Sequence, residues 1–223
     1  MTGFKLDCVL FDLDGTLVDT APDLIACLNR TLSAHGFPET APAAVRPLIS
    51  HGALAMIRHC VEVDQAEAER MLEFMLNQYE DNVADYSRLF DGVADSLQAI
   101  EAEGLKWGVV TNKKTRFTEP LLTALGLRQR AACVISGDST PSSKPDPEPM
   151  FAACREAGVA PENCVYLGDA AHDITAGKRA NMKTLAAVYG YLKADDVPES
   201  WGADGLIKRP QQLMEWIQAQ ICR

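Results

Sequence analysis

Two aspartates close the apolar run at the start of "VLFDLDGTLVDT" (residues 9–20): Asp12 and Asp14, followed at once by Gly15 and Thr16. Acids at this spacing can form a turn, hold a metal, or do chemistry together. Three more polar groups follow apolar runs further on: Thr111 with Asn112, Lys144 in a proline-rich loop, and Asp169 with Asp173. Each has an ordinary reading by itself. Asp14-Gly15 suits a tight turn, Thr111 and Asn112 can end a strand, Lys144 can be a solvated lysine, Asp173 can complement a helix N-terminus, and His172 reads as a bystander. A calcium loop starting at Asp12 needs Gly at position six and Glu at twelve, where Leu17 and Asp23 stand. That reading fails.

The elements around these residues set their placement. "LDCVLFD", "KWGVVTN", "ACVIS", "CVYLGD" and "TLAAVY" are short apolar runs of the kind buried on both faces of a parallel sheet. Helical patterns lie between them. "DGVADSLQAIEAEG" starts on an Asp and stops on a Gly, and "EPLLTALG", "PEPMFAACREAG" and "HDITAGKRAN" are spaced similarly. Alternating strand and helix predicts an α/β, doubly wound, mainly parallel sheet. In such sheets ligands bind beyond the carboxyl ends of the strands, where all four polar clusters fall.

About 75 residues separate the first two core strands, too many for a simple crossover. They read as helices: "APDLIACLNRTLSAHG" with Pro22 in its first turn, and a long helix over 64–86 with Leu72, Met75, Leu76, Tyr79, Val83 and Tyr86 on one stripe, taken as core packing. The expected organisation is a Rossmann-like core (1–16 and 89–223) with a helical cap domain (17–88) inserted. Ser50, His51 and Gly52 fall in a turn of that insert, either as a helix N-cap or as a substrate contact.

The net charge of -10 argues against nucleic acid as a partner. It leaves room for a small anionic substrate in a local pocket. Seven scattered cysteines without a C-x-x-C pair read as reduced thiols, mostly small core hydrophobes. "MTGFKLD" does not read as a signal peptide, and no apolar run is long enough for a membrane span. The expectation is a cytoplasmic protein with no membrane partner.

"DLDGT", "VVTN", the lysine of "SKPDPEP" and "GDAAHD", in this order, resemble the four motifs of the haloacid dehalogenase (HAD) superfamily, on its phosphatase branch. The resemblance covers essentially the whole core, and the insert matches that family's small cap. It implies a Mg²⁺-dependent phosphatase acting on a small phosphorylated metabolite. Asp12 would be the nucleophile and a metal ligand. Asp14 would be the proton shuttle, ligating through its main-chain carbonyl. Thr111 and the backbone around Asn112 would hold the phosphoryl oxygens, Lys144 would neutralise charge, Asp169 would ligate the metal, and Asp173 would support it at one remove or through water. The demand for cations is physical: a phosphate dianion meeting a carboxylate is repelled by roughly 8 kcal/mol at ~4 Å and an effective dielectric of ~20. Ala170 stands where the family often has Ser or Thr, which removes one hydroxyl contact.

Within the family the chain is most similar to phosphoglycolate phosphatases, which is the first expectation, and a related group acting on N-acetylmuramate 6-phosphate is the alternative. Another sugar phosphatase or a phosphomutase is the remaining alternative in this fold. Dehalogenase and phosphonate chemistry are disfavoured because those branches lack the second aspartate. From another class, a signalling receiver also phosphorylates an aspartate near Mg²⁺, but in about half this length and without a cap. A non-catalytic relative would be expected to lose Asp12.

Overall fold

The computed structural model describes residues 4–221. Cys222 and the first three residues of the N-terminal stretch lie outside them. The chain enters as β1 (Cys8–Phe11) and then forms a short strand β2 (Val18–Asp19), whose antiparallel partner β3 (Arg88–Leu89) brings it back after the insert. β4 (Lys106–Val110), β5 (Val134–Ile135), β6 (Cys164–Gly168), β7 (Lys183–Ala187) and β8 (Gly205–Ile207) follow. The main sheet has the order β5-β4-β1-β6-β7-β8 and is parallel throughout. The fold is a doubly wound α/β sheet.

Strand side chains alternate between its two faces. Val9, Phe11, Trp107, Val109, Val165 and Leu167 join one apolar cluster, which continues into the insert. Cys8, Leu10, Val110, Cys133, Ile135 and Tyr166 join the other. Burial on both faces explains why these strands read as unbroken apolar runs. The described cysteines are free thiols, and burial pushes that of Cys133 up to about 12.

The core helices are α5 (Val93–Ala102), α6 (Thr115–Ala124), α7 (Glu148–Ala157), α8 (Ala171–Arg179) and α9 (Gln212–Ile221). The insert holds α1 (Ala21–Ala34), α2 (Pro42–Val45), a 3₁₀ turn (Arg46–His51), α3 (Ala53–Cys60) and α4 (Gln65–Glu80), with α1 and α3 packed on α4. Two local expectations shift. Asp91 does not cap α5; Gly92 takes the cap position with left-handed backbone and no side chain caps it. The long insert helix ends at Glu80, short of the expected residue 86, and Tyr86 is exposed.

The backbone beyond that stop is held from across the crossing strands. Buried Asp23, in the first turn of α1, accepts hydrogen bonds from the amides of Tyr86 (2.9 Å) and Ser87 (2.8 Å) and from Ser87 Oγ (2.6 Å). These donors are satisfied without helix, and the chain turns through residues 81–86 and enters β3. Asp23→Ala would strand them in a buried site. It is expected to lower unfolding free energy by about 3 kcal/mol in urea titrations; a loss within 0.5 kcal/mol, the usual range for a neutral surface change, would contradict this account.

Candidate active site

Asp12 sits immediately beyond β1 and is buried, its amide held by Leu167 O at 2.9 Å. The next turn needs Gly15 for two reasons. Its φ of +82° is left-handed, and a Cβ there would lie 2.2 Å from Asp169 Oδ2. The "DGT" step therefore brings the chain against the carboxylate at the end of β6.

Lys144 reaches the same place from the loop after β5. Its fully buried ammonium contacts Asp12 Oδ1 (2.8 Å), Asp173 Oδ1 (2.7 Å), the Tyr166 hydroxyl (2.8 Å) and Val110 O (3.1 Å). Burial disfavours its charge, but Asp12 and Asp173 outweigh that and hold Lys144 above the ordinary lysine value. The loop is clasped by Asn112: its Nδ2 donates to Lys144 O (3.1 Å) and its Oδ1 accepts from Lys144 N (3.0 Å). Gly137 permits close approach here, since a Cβ would meet Asn112 O at 2.2 Å. Asp138 fixes the other side of this junction by accepting from the Thr115 amide (2.8 Å) and hydroxyl (2.6 Å) at the start of α6.

Asp169 and Asp173 flank the start of α8. Asp173 Oδ2 accepts from the Ala170 amide at 3.1 Å, so this acid both complements the helix end and faces Lys144. Asp169 Oδ2 accepts from Tyr191 N (2.8 Å) and from Ser50 Oγ (3.0 Å), the second contact coming from the insert. Burial, then the charges of Asp12 and Asp173, push the Asp169 carboxyl well above the usual carboxylate range. Burial likewise raises Asp12, against the pull of Lys144.

The carboxylates of Asp12, Asp169 and Asp173 place oxygens within 4.8 Å of one another, and Asp169 Oδ1 is buried with no hydrogen-bond partner among the described residues. Four acids, counting Asp14, face two buried ammoniums, Lys144 and Lys113. An all-oxygen set with that excess of negative charge suits a hard divalent cation.

Asp14 is oriented by groups outside the recognised motifs. Thr20 Oγ1 donates to its Oδ1 at 2.6 Å, and Lys113 Nζ reaches both oxygens at 3.0 and 3.1 Å. The Lys113 ammonium also lies 4.5 Å from the ring centre of Tyr79 on α4, so one cation joins Asp14 to the insert. Burial pushes the Tyr79 hydroxyl up to about 12. Sequence reading passed over Lys113 as a neighbour of Asn112. The signal available was a second lysine directly after a strand-end Thr-Asn pair.

A cavity of about 390 Å³ opens onto Asp12, Asp14, Thr111, Asn112 and Lys144 from the core. From the insert, Ser50, His51 and Gly52 line it together with an apolar wall that includes Leu54, Met56, Leu72 and Leu76. Part of the α4 stripe expected to be plain core thus faces the cavity, while Met71 and Met75 pack inward. Burial, then the charge of Lys193, hold His51 below the ordinary histidine value. His172 also lines the cavity.

Residues 9–187 match the family of haloacid dehalogenase-like hydrolases, and the chain belongs to that family. It is a phosphoric monoester hydrolase, which sets the receiver reading aside. An N-acetylmuramic acid 6-phosphate phosphatase of Pseudomonas aeruginosa is 41% identical over 100% of this chain and 99% of its own. A phosphoglycolate phosphatase of Xanthomonas campestris pv. campestris is 43% identical over 93% of this chain and 94% of its own. Among solved structures, that of a predicted phosphoglycolate phosphatase from Haemophilus somnus aligns with a TM-score of 0.84 at 30% identity, covering 97% of this chain and 99% of the other. In the described residues no helix is long and apolar enough to cross a membrane.

Replacing Lys113 with Met keeps most of its apolar stem but frees Asp14 on one side. The variant is expected to hydrolyse p-nitrophenyl phosphate with kcat at least roughly tenfold lower and unchanged far-ultraviolet dichroism. A wild-type kcat would show that Asp14 does not need this partner.

Proposed function

We propose that the protein is a Mg²⁺-dependent phosphatase that works through an aspartyl-phosphate on Asp12, with a sugar phosphate as substrate and N-acetylmuramate 6-phosphate foremost. The observation that carries the mechanism is the convergence of Asp12, Lys144, Asp169 and Asp173 behind a cavity that Asp14 also faces.

Asp12 and Asp169, with the main-chain carbonyl of Asp14, would hold Mg²⁺, and Asp173 would support the site from behind. When bound, the ion supplies charge neutralisation for the carboxylates and the phosphoryl group. An Asp12 oxygen attacks phosphorus, the bond from phosphorus to the ester oxygen breaks, and Asp14 delivers a proton to the departing alcohol. In the second half, Asp14 takes a proton from water as that water attacks phosphorus, which releases phosphate and regenerates Asp12. Lys144 balances the charge that gathers on Asp12 and the phosphoryl oxygens. The Thr111 hydroxyl and the amides beside Asn112 receive those oxygens, while the Asn112 side chain keeps the Lys144 loop in place. Residues 17–88 act as the cap domain over the 1–16 and 89–223 core, with Ser50, His51 and Gly52 at its inner surface.

The choice of substrate rests on the cavity. The cavity of about 390 Å³ has an apolar wall of Leu54, Met56, Leu72 and Leu76, and a sugar bearing acetyl and lactyl methyls would cover more of it than a two-carbon acid and exclude more water. Phosphoglycolate is the second reading, favoured by the name of the Xanthomonas relative at 43% identity.

A kcat/KM comparison is expected to favour N-acetylmuramate 6-phosphate over 2-phosphoglycolate by a hundredfold or more, about 2.7 kcal/mol; the reverse order would overturn the substrate but not the chemistry. Asp12→Asn should abolish turnover of both, and retained turnover would overturn the aspartyl-phosphate route. Independently of activity, Mg²⁺ is expected to raise the Tm of the wild-type protein by a few degrees and to leave Asp169→Asn almost unmoved. Equal shifts in the two proteins would remove Asp169 from the metal site.

A further inference from the structure

The phosphatase site uses Lys113 and Lys144, but it leaves another group of cations without a task. A second cavity of about 470 Å³, sharing no lining residue with the first, is bordered by Arg46 of the insert, Arg88 of β3, and Lys208 and Arg209 of the loop before α9. Asp19 and Asp91 are the acids in its lining. Asp19 is already engaged: Arg46 donates to its Oδ2 at 2.9 Å and the Tyr191 hydroxyl to its Oδ1 at 2.7 Å. Arg88 donates to the main-chain carbonyls of Ser87 (2.6 Å) and Asp85 (3.3 Å). Among the described residues, no carboxylate forms an ion pair with Arg88, Lys208 or Arg209.

Four basic side chains against two acids give this concavity a local positive balance in a chain whose net charge is -10. Phe90 and Tyr189, with ring centres 5.2 Å apart, form an aromatic part of the wall. Guanidinium groups are suited to phosphoryl oxygens because their donors form a planar fork.

We propose that this cavity is a second anion site, taking a diphosphate group, either free or carried on a nucleoside. A diphosphate offers more oxygens than a lone phosphate, enough to meet Lys208, Arg209 and the Arg88 guanidinium together. The site lies where the chain crosses between insert and core, since β3 contributes Arg88 and Leu89 and β2 contributes Asp19. An anion bound there ties a crossing strand to the Lys208–Arg209 loop.

The probes are methylenediphosphonate, which resists phosphatase cleavage, and adenosine 5′-(α,β-methylene)diphosphate, titrated calorimetrically into the Mg²⁺-loaded enzyme. The Lys208→Ala/Arg209→Ala double variant is expected to bind one equivalent fewer than wild type, or to bind that equivalent at least tenfold more weakly, with kcat/KM for p-nitrophenyl phosphate unchanged. Tighter binding of the adenosine compound would identify a nucleotide as the source and the Phe90–Tyr189 wall as its contact; equal binding would identify free diphosphate. The same stoichiometry and affinity in wild type and double variant, including no binding in either, overturns the site.

Discussion

Everything in the phosphatase site depends on one buried ammonium. Lys144 lies between Asp12 and Asp173, within 2.8 Å of both, and is buried with them. Isolated charges are expensive to bury, and removing one partner of a buried pair is far worse than never having had it. The lysine makes it possible for two buried carboxylates to share the end of the sheet. It also explains why Asp169 differs from its neighbours: no lysine reaches it, one of its oxygens has no partner, and its carboxyl is pushed upward by burial and by the other acids. The site is electrically incomplete at Asp169, where a divalent ion would complete it.

The fold supplies this arrangement by joining three rigid points. β1 and β6 are adjacent and in register, Phe11 beside Leu167, so the residues that follow them converge. Gly15 lets the turn after β1 come against Asp169, and Gly137 with the Asn112 clasp lets the lysine loop come against the end of β4. None of these contacts is large in energy. Their effect is positional, holding charged atoms within a few tenths of an ångström in a place where misplacement leaves charge uncompensated.

The core was legible in the sequence because both-face burial writes itself as short apolar runs, and because each run ends in the residues that carry the chemistry. What escaped reading has physical reasons too. β2 and β3 are two residues each and β8 is three, too short to show a period. The backbone beyond α4 is held at Tyr86 and Ser87 by a carboxylate more than sixty residues earlier, Asp23, and no local pattern encodes that. Lys113 drew no reading from the sequence because its meaning depends on Asp14 and Tyr79, which are distant in sequence and belong to different layers. Leu72 and Leu76 have the spacing of core residues and are apolar, and only the position of α4 over the sheet turns them into a cavity wall.

The molecule's information is of two kinds. The reaction is specified by atoms that must meet at hydrogen-bond distance, so residue types are tightly constrained and readable. On the reading proposed above, substrate preference would be specified by an apolar surface, where Leu, Met and Ile are nearly interchangeable in volume and hydrophobicity, so the identity of each residue says little and the shape says nearly all. The two are joined at Ser50, which touches Asp169, and at Tyr79, which lies against the cation that orients Asp14. On the proposed mechanism, a substrate that seats well against the insert would also settle the insert onto the groups assigned the chemistry. Binding energy from parts of the substrate remote from phosphorus would then be realised as correct placement of Asp14 rather than as tight binding alone, which would give a phosphatase with a plain reactive centre a route to selectivity.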